Sequence, residues 1–130
     1  MTRYIAIILS LAGMMLGLTS CSERRAEVST SPDGQIVVYE GRKPGAGPAP
    51  DSVAIYLTIA STDQSADAKS VFEGQDVGRV CYDWPSPSAL NIRISGGYVD
   101  RVASQWIGPN GRRIAVRYLG SSGCVWRKSG

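Results

Sequence analysis

The clearest pattern in the chain is an alternation of apolar and polar residues with a period of two, which is typical of β-strands. Residues 51–60 show it best, because every second position there carries a large aliphatic side chain: Val53, Ile55, Leu57 and Ile59. The residues between them are only weakly polar, so this strand is predicted to lie centrally in a sheet. Residues 89–95 and 112–118 alternate in the same way and predict two further strands.

Shorter β-branched and aromatic segments predict additional strands at residues 35–40, 71–73, 80–82 and 124–126. Residues 98–107 are ambiguous, because their apolar positions fit helical spacing as well as an irregular strand. We predict a strand there, since residues 108–111 (Gly-Pro-Asn-Gly) are typical of a hairpin turn before the next strand.

Turn-forming segments separate these strands. Residues 31–34 (Ser-Pro-Asp-Gly) predict a tight turn, and residues 41–50, with three prolines and three glycines, predict a long loop without regular structure. The chain is therefore predicted to be all-β, with about seven short strands in a small antiparallel β-sandwich or a partly open barrel.

The N-terminal segment follows a different pattern. Residues 5–18 are apolar apart from Ser10 and two glycines, and they follow a short basic start at Arg3. These 14 residues are too few to span a bilayer, which needs about 20 helical residues. Their length and flanks are those of a signal peptide.

Residues 18–21 (Leu-Thr-Ser-Cys) resemble the lipobox of bacterial lipoproteins, in which a leucine and two small residues precede a cysteine. The resemblance implies that Cys21 is lipidated, becomes the first residue after cleavage and anchors the chain in membrane lipid. Ser22 follows, where Gram-negative lipoproteins retained in the inner membrane carry aspartate. The resemblance therefore implies the outer membrane, facing the periplasm.

Three regions follow from this interpretation. Residues 1–20 are predicted to be a lipoprotein signal peptide, and residues 21–31 the lipidated cysteine and a polar tether. Residues 32–130 are predicted to form a single β domain. The tether is predicted because residues 22–31 are polar, mixed in charge and without a periodic apolar face.

The Ser-Pro-Asp-Gly turn followed by an alternating strand resembles the start of a β-propeller blade of the periplasmic TolB type. One copy cannot build a propeller, which needs four or more blades. The order of turns and strands after Ser31 is also similar to that of small bacterial envelope lipoproteins that begin with Ser-Pro-Asp-Gly. This similarity implies a location and a fold, and it implies no activity.

Composition excludes several functional classes. Arg3 is the only charged side chain before Cys21, so the mature chain would carry 13 basic and 11 acidic side chains. This near balance argues against a nucleic-acid partner. The chain contains no histidine, which removes the commonest general base and most zinc sites. No cofactor and no metal ion are predicted.

Two cysteines remain once Cys21 is lipidated. An exported compartment permits a disulfide between Cys81 and Cys124. The alternative is a pair of buried free thiols. A catalytic thiol is disfavoured, because no histidine is available to lower its pKa.

Basic side chains are the first candidates for binding. Arg93, Arg113 and Arg117 occupy outward positions of predicted strands, where they could bind a carboxylate, a phosphate or a headgroup if those strands are neighbours. Arg42 and Lys43 begin the predicted loop and could contact a partner. The alternative for the strand arginines is an ordinary solvated sheet face.

Two other sets of residues are candidates for a site. Aromatic residues could line a groove for a peptide or glycan, although core packing is the commoner role beside a disulfide: Tyr82, Trp84, Trp106 and Trp126. Acidic residues could supply a general acid and base if two of them converged, although their spacing does not indicate this: Asp76, Asp83 and Asp100. Asp63 and Asp67 lack the pattern of an EF-hand calcium loop.

The sequence thus predicts a membrane-anchored envelope lipoprotein with a non-enzymatic binding or structural β domain. Its expected partners are membrane lipid through the acylated Cys21, and an envelope protein or an anionic ligand. Two alternatives stay open. One is a hydrolase of cell-wall material that uses a carboxylate pair, and the other is an inhibitor that inserts loop 41–50 into a target.

Overall fold

The structure is a computed structural model that describes residues 23–61 and 69–124. These residues form nine β-strands: β1 (Arg24–Thr30), β2 (Ile36–Lys43), β3 (Ser52–Ile59), β4 (Ser70–Gln75), β5 (Val80–Ser86), β6 (Ala89–Ile94), β7 (Tyr98–Val102), β8 (Gln105–Ile107) and β9 (Arg113–Tyr118). The described residues contain no helix, and so none that could cross a membrane.

The strands form two sheets that enclose one core. Sheet A has the order β1-β2-β3-β4-β7, and sheet B has the order β5-β6-β9-β8. The chain passes from sheet A to sheet B after β4, returns for β7, and crosses again for β8. The predicted all-β sandwich is confirmed, and β3 occupies the central position in sheet A that its weakly polar second face indicated.

One pair of strands departs from the predicted antiparallel arrangement. Strands β6 and β9 are parallel neighbours, with Asn91 opposite Arg117. The excursion through β7 and β8 makes this pairing topologically accessible, because parallel strands need a long crossover connection. Sheet B is therefore mixed, whereas all pairs in sheet A are antiparallel.

The predicted tether is wrong for most of its length. Residues 24–30 form the edge strand β1, which pairs with β2 from Arg24 opposite Arg42 to Thr30 opposite Val37. The pattern gave no sign of this strand because it is an edge strand whose side chains are exposed or half-buried on both faces. The predicted turn at residues 31–34 joins β1 to β2, with Gly34 at a φ of 73°.

Several observed strand boundaries differ from the predicted ones by a few residues. β2 continues through Arg42 and Lys43, so the predicted loop 41–50 begins only at Pro44. β5 continues past Pro85, which an edge strand tolerates because it needs no partner for the missing amide. Residues 98–107 form two short strands in different sheets, β7 and β8. Residues 62–68, and residues 125–126 of the strand predicted at 124–126, lie outside the described residues.

The core lies between the two sheets and is formed by the inward-facing side chains of the strands. Its members are buried aliphatic residues and one phenylalanine: Ile36, Val38, Val53, Ile55, Leu57, Val71, Phe72, Val77, Val80, Leu90, Ile92, Ile94, Ile114 and Val116. Leu90, Ile92 and Ile94 show that the alternation in residues 89–95 correctly predicted the inward face. Burial of these side chains is the main force that holds the two sheets together.

An arginine joins the two sheets at one end of the sandwich. Arg112 Nη2 lies 2.7 Å from Asp33 Oδ2 and also donates to the carbonyl oxygen of Pro87 at 2.7 Å. Arg112 Nη1 donates to Gln35 Oε1 at 3.3 Å. We call this group of contacts the clasp. It connects the β1–β2 turn of sheet A with the β5–β6 turn of sheet B through Arg112, which directly follows the turn predicted at residues 108–111.

Candidate functional site

Three of the predicted binding arginines share the outer face of sheet B. Arg93 lies on β6, and Arg113 and Arg117 lie on the neighbouring strand β9. The register places Asn91 opposite Arg117, so Arg93, two residues farther along, is a diagonal neighbour of Arg117. Arg113 lies four residues away along β9, roughly 13 Å at 3.3 Å per residue. The condition set by the sequence, that these strands be neighbours, is met.

These three arginines form no ion pair with any residue within 23–61 and 69–124. Arg113 and Arg117 are exposed, and Arg93 is half-buried. The acid on the same face, Asp83, accepts a hydrogen bond from Asn91 Nδ2 at 3.4 Å. We call Arg93, Arg113 and Arg117 the arginine face. Guanidinium groups without a protein partner can bind a carboxylate or phosphate through two parallel hydrogen bonds.

The two other predicted binding residues have different surroundings. The Arg42 guanidinium is bound by the domain itself: its Nη1 donates to the carbonyl oxygen of Val77 at 3.0 Å, and its Nη2 donates to that of Gly78 at 2.7 Å. It also pairs with Glu40 at 3.1 Å. Arg42 therefore fixes the passage from sheet A to sheet B. Lys43 is exposed at the end of β2, in sheet A, whereas the arginine face belongs to sheet B.

A groove that sequence reasoning missed lies between the two edge strands β1 and β5. It has a volume of about 460 Å³ and is lined mainly by Val28, Ser29, Glu40, Arg79 and Tyr82. A β-bulge in β1, between Glu27 and Ser29, turns Val28 toward it. Bulges of this kind redirect single side chains at sheet edges. The sequence did not indicate this groove, because it did not indicate β1, the strand that forms one side of it.

The groove is bounded by a hydrogen bond between β5 and β1, and it contains a buried hydroxyl group with no hydrogen-bond partner among the described residues. Trp84 Nε1 donates to Ser29 Oγ at 2.9 Å and joins β5 to β1. The buried Tyr82 hydroxyl makes no hydrogen bond to a described residue. Burial, together with the negative charge of Glu40, raises the pKa of Tyr82 well above its usual range. Its hydroxyl is therefore neutral and can donate one hydrogen bond.

The aromatic and acidic candidates do not form a second site. Tyr82, Trp84 and Trp106 pack against the core, which favours the packing interpretation, and Trp126 lies outside the described residues. The acids are divided between the sheets, because Asp83 is on β5 whereas Asp100, on β7, accepts a hydrogen bond from Gln75 at 3.1 Å. Asp76 follows β4, where it adopts a φ of 54°. Asp63 and Asp67 lie outside the described residues.

The cysteines of the domain are adjacent. Cys81 and Cys124 are at disulfide-bonding distance, with their Cα atoms 5.6 Å apart. The bond connects β5 to the segment that follows β9, beside the Arg93 side chain. Within residues 23–61 and 69–124, no three histidine, cysteine, aspartate or glutamate side chains are placed to hold a metal ion.

Comparison with known proteins finds no matching family, no matching curated protein and no matching solved structure.

Proposed function

We propose that this chain is a bacterial envelope lipoprotein whose β domain acts by binding and not by catalysis. The observation that carries the proposal is the division of its three cysteines. Cys81 and Cys124 face each other within the domain, and Cys21 is the remaining cysteine of the sequence. Cys21 is also the residue at the lipidation position of the lipobox-like segment 18–21.

Compartment and anchor support each other in this proposal. Disulfides persist in the periplasm and at the cell surface, whereas cytosolic thiols are kept reduced. Acylation at Cys21 would attach the chain stably, because two or more acyl chains are enough for lasting membrane attachment. Ser22 in place of aspartate favours the outer membrane, facing the periplasm.

The arginine face is the surface we propose for binding. It presents three guanidinium groups that have no ion-pair partner among the described residues, on the rigid face of sheet B. Such a surface suits an anionic ligand or an acidic segment of another envelope protein. Arg42 is left out of this surface, because its guanidinium is occupied by Val77, Gly78 and Glu40.

The anchor is tested by metabolic labelling with an alkyne-bearing fatty acid. The wild-type chain is expected to take up the label, and Cys21→Ser is expected to take up none, because the acyl acceptor is gone. The variant with both Cys81→Ser and Cys124→Ser is the control, since it should keep the label. Labelling of Cys21→Ser at the wild-type level would contradict the proposal.

A further inference from the structure

One end of the sandwich gathers the start of β1 and several neighbouring strand ends. The register places Arg24 opposite Arg42, Lys43 opposite Ser52, and Ser52 opposite Gln75. Gln75 in turn lies opposite Tyr98. We call this the anchor end, and define it by Arg24, Lys43, the loop 44–51, Gln75 and Tyr98. The clasp lies at the opposite end of the sandwich.

The chain is fixed to sheet A as early as Glu23. The Tyr56 hydroxyl donates to Glu23 Oε1 at 2.8 Å, and Arg25 Nε donates to Glu23 Oε2 at 3.3 Å. The Arg25 guanidinium also lies 3.9 Å from the centre of the Tyr56 ring. The Glu23 carboxylate passes over Gly41, where any side chain would collide with it.

Little chain therefore separates the domain from the proposed lipid. Only Ser22 lies between Cys21 and Glu23, and two residue steps span at most about 7 Å. We propose that the anchor end of the domain lies directly against the bilayer surface, with the clasp end directed away from it. This inference rests on the proposed lipidation of Cys21, and it replaces a flexible tether with a fixed orientation.

An exposed aromatic residue occupies the other corner of the same sheet edge. Tyr98 is 73% exposed, and it lies on β7, the edge strand opposite β1 in sheet A. Four strand spacings separate the two corners, roughly 19 Å. Tyrosine is favoured at the membrane–water interface, because its ring is apolar and its hydroxyl polar. The acylated Cys21 and Tyr98 would thus contact the bilayer at two separate points.

Charge at the anchor end is compatible with a headgroup layer and does not by itself cause attachment. Arg24, Lys43 and Arg79 are exposed there, and so are Asp51 and Asp76. One carboxylate oxygen of Asp51 already accepts a hydrogen bond from the Gly45 amide at 3.0 Å. The covalent anchor supplies the affinity, and the short connection supplies the orientation.

The test compares two engineered thiols on the full, acylated chain. Ala46→Cys places a thiol in loop 44–51, and Ser88→Cys places one in the exposed β5–β6 turn at the clasp end. Each protein is reconstituted in vesicles of phosphatidylethanolamine and phosphatidylglycerol. Each thiol is then labelled either with a small charged maleimide or with a maleimide on a large polymer, neither of which crosses the membrane. The ratio of polymer to small-reagent labelling corrects for copies that face the vesicle interior.

We expect this ratio to be roughly tenfold lower at Ala46→Cys than at Ser88→Cys, which corresponds to about 1.4 kcal/mol. Inserting a Gly/Ser linker of about ten residues between Ser22 and Glu23 should remove the difference, since the domain could then move away from the surface. Equal ratios without the linker would overturn the orientation, and so would a difference that persists with it.

The intact mass of each sample separates the two possible failures. Acylated protein with equal labelling at both positions would contradict only the orientation. Protein without acyl groups would contradict the proposed lipoprotein itself.

Discussion

At the scale of single residues, the arginine face shows what alternation can predict. A period of two predicts outward positions for Arg93, Arg113 and Arg117, and these residues share one outer face of sheet B. Whether two strands are neighbours is not a local property, so the alternation alone could not show that the three arginines lie close together. A local pattern could not predict the contacts of Arg42, because its acceptors at Val77 and Gly78 lie 35 and 36 residues away in the sequence.

The binding role of the arginine face is tested with inorganic pyrophosphate as the probe anion. In calorimetric titrations of the purified protein, the variant with both Arg93→Gln and Arg117→Gln is expected to bind roughly tenfold more weakly, a loss of about 1.4 kcal/mol. The physical reason is the loss of two neighbouring guanidinium donors. Arg24→Gln, an exposed arginine at the anchor end, is the matched control. An equal affinity in the double variant and the control would contradict the proposed surface.

At the scale of elements, β1 is the feature that the sequence concealed and that changes the interpretation most. Its residues lack an apolar stripe, because an edge strand beside an open groove buries little on either face. Its stability comes from pairing with β2 and from the contacts of Glu23, Arg25 and Tyr56 across Gly41. The sequence pattern predicts that Gly41 begins a loop, whereas in the structure Gly41 lies within β2 and leaves space for the Glu23 carboxylate.

Gly41→Ala is therefore expected to lack the stabilisation that alanine usually brings to a strand, because its methyl group displaces the Glu23 carboxylate from the Tyr56 hydroxyl. The lost hydrogen bond costs about 1 kcal/mol, which offsets the roughly 0.5–1 kcal/mol that alanine in place of glycine otherwise contributes. Urea unfolding measures the change, and hydrogen exchange of the β1 amides locates it. In a Glu23→Ala background the same substitution should stabilise the domain by about 0.5–1 kcal/mol, since the colliding carboxylate is absent. An equal effect of Gly41→Ala in the two backgrounds would refute this account of β1.

The β1–β2 turn is the second element-scale feature, because its Asp33, which the clasp also contacts, makes stability depend on pH. Hydrogen bonds from Ser31, Gln35 and Arg112, with that of Ser31 the largest, lower the pKa of Asp33. A lowered pKa means that the ionised carboxylate stabilises the fold at neutral pH. That contribution is present above the ordinary aspartate value of about 3.9 and is lost as the pH falls through the lower native value.

Asp33→Asn is accordingly expected to lower the urea midpoint at pH 7, and its deficit relative to wild type should shrink below about pH 4. In an Arg112→Gln background the deficit should be smaller at pH 7, because one of the groups that stabilise the carboxylate is gone, and the two backgrounds should converge in acid as Asp33 is protonated. Urea titrations across the acid range measure both effects. A deficit that is constant with pH would contradict the assignment to Asp33.

At the scale of the whole molecule, local patterns predicted the fold class, the central strand, the inward residues and the turns. They did not predict the strand order, the parallel β6–β9 pair or the division of residues 98–107 between two sheets. Those features depend on how distant segments close the core, and a period of two carries no information about that. The groove between β1 and β5 likewise exists only because two edge strands from different sheets face each other.

The proposed lipidation of Cys21 and the disulfide between Cys81 and Cys124 can be tested together. The most direct measurement is the intact mass of the protein purified from membranes, taken with an alkylating reagent before and after reduction. We expect a chain that starts at Cys21 with its acyl groups, and two thiols that are alkylated only after reduction. A full-length chain with all three thiols free would contradict both the anchor and the compartment.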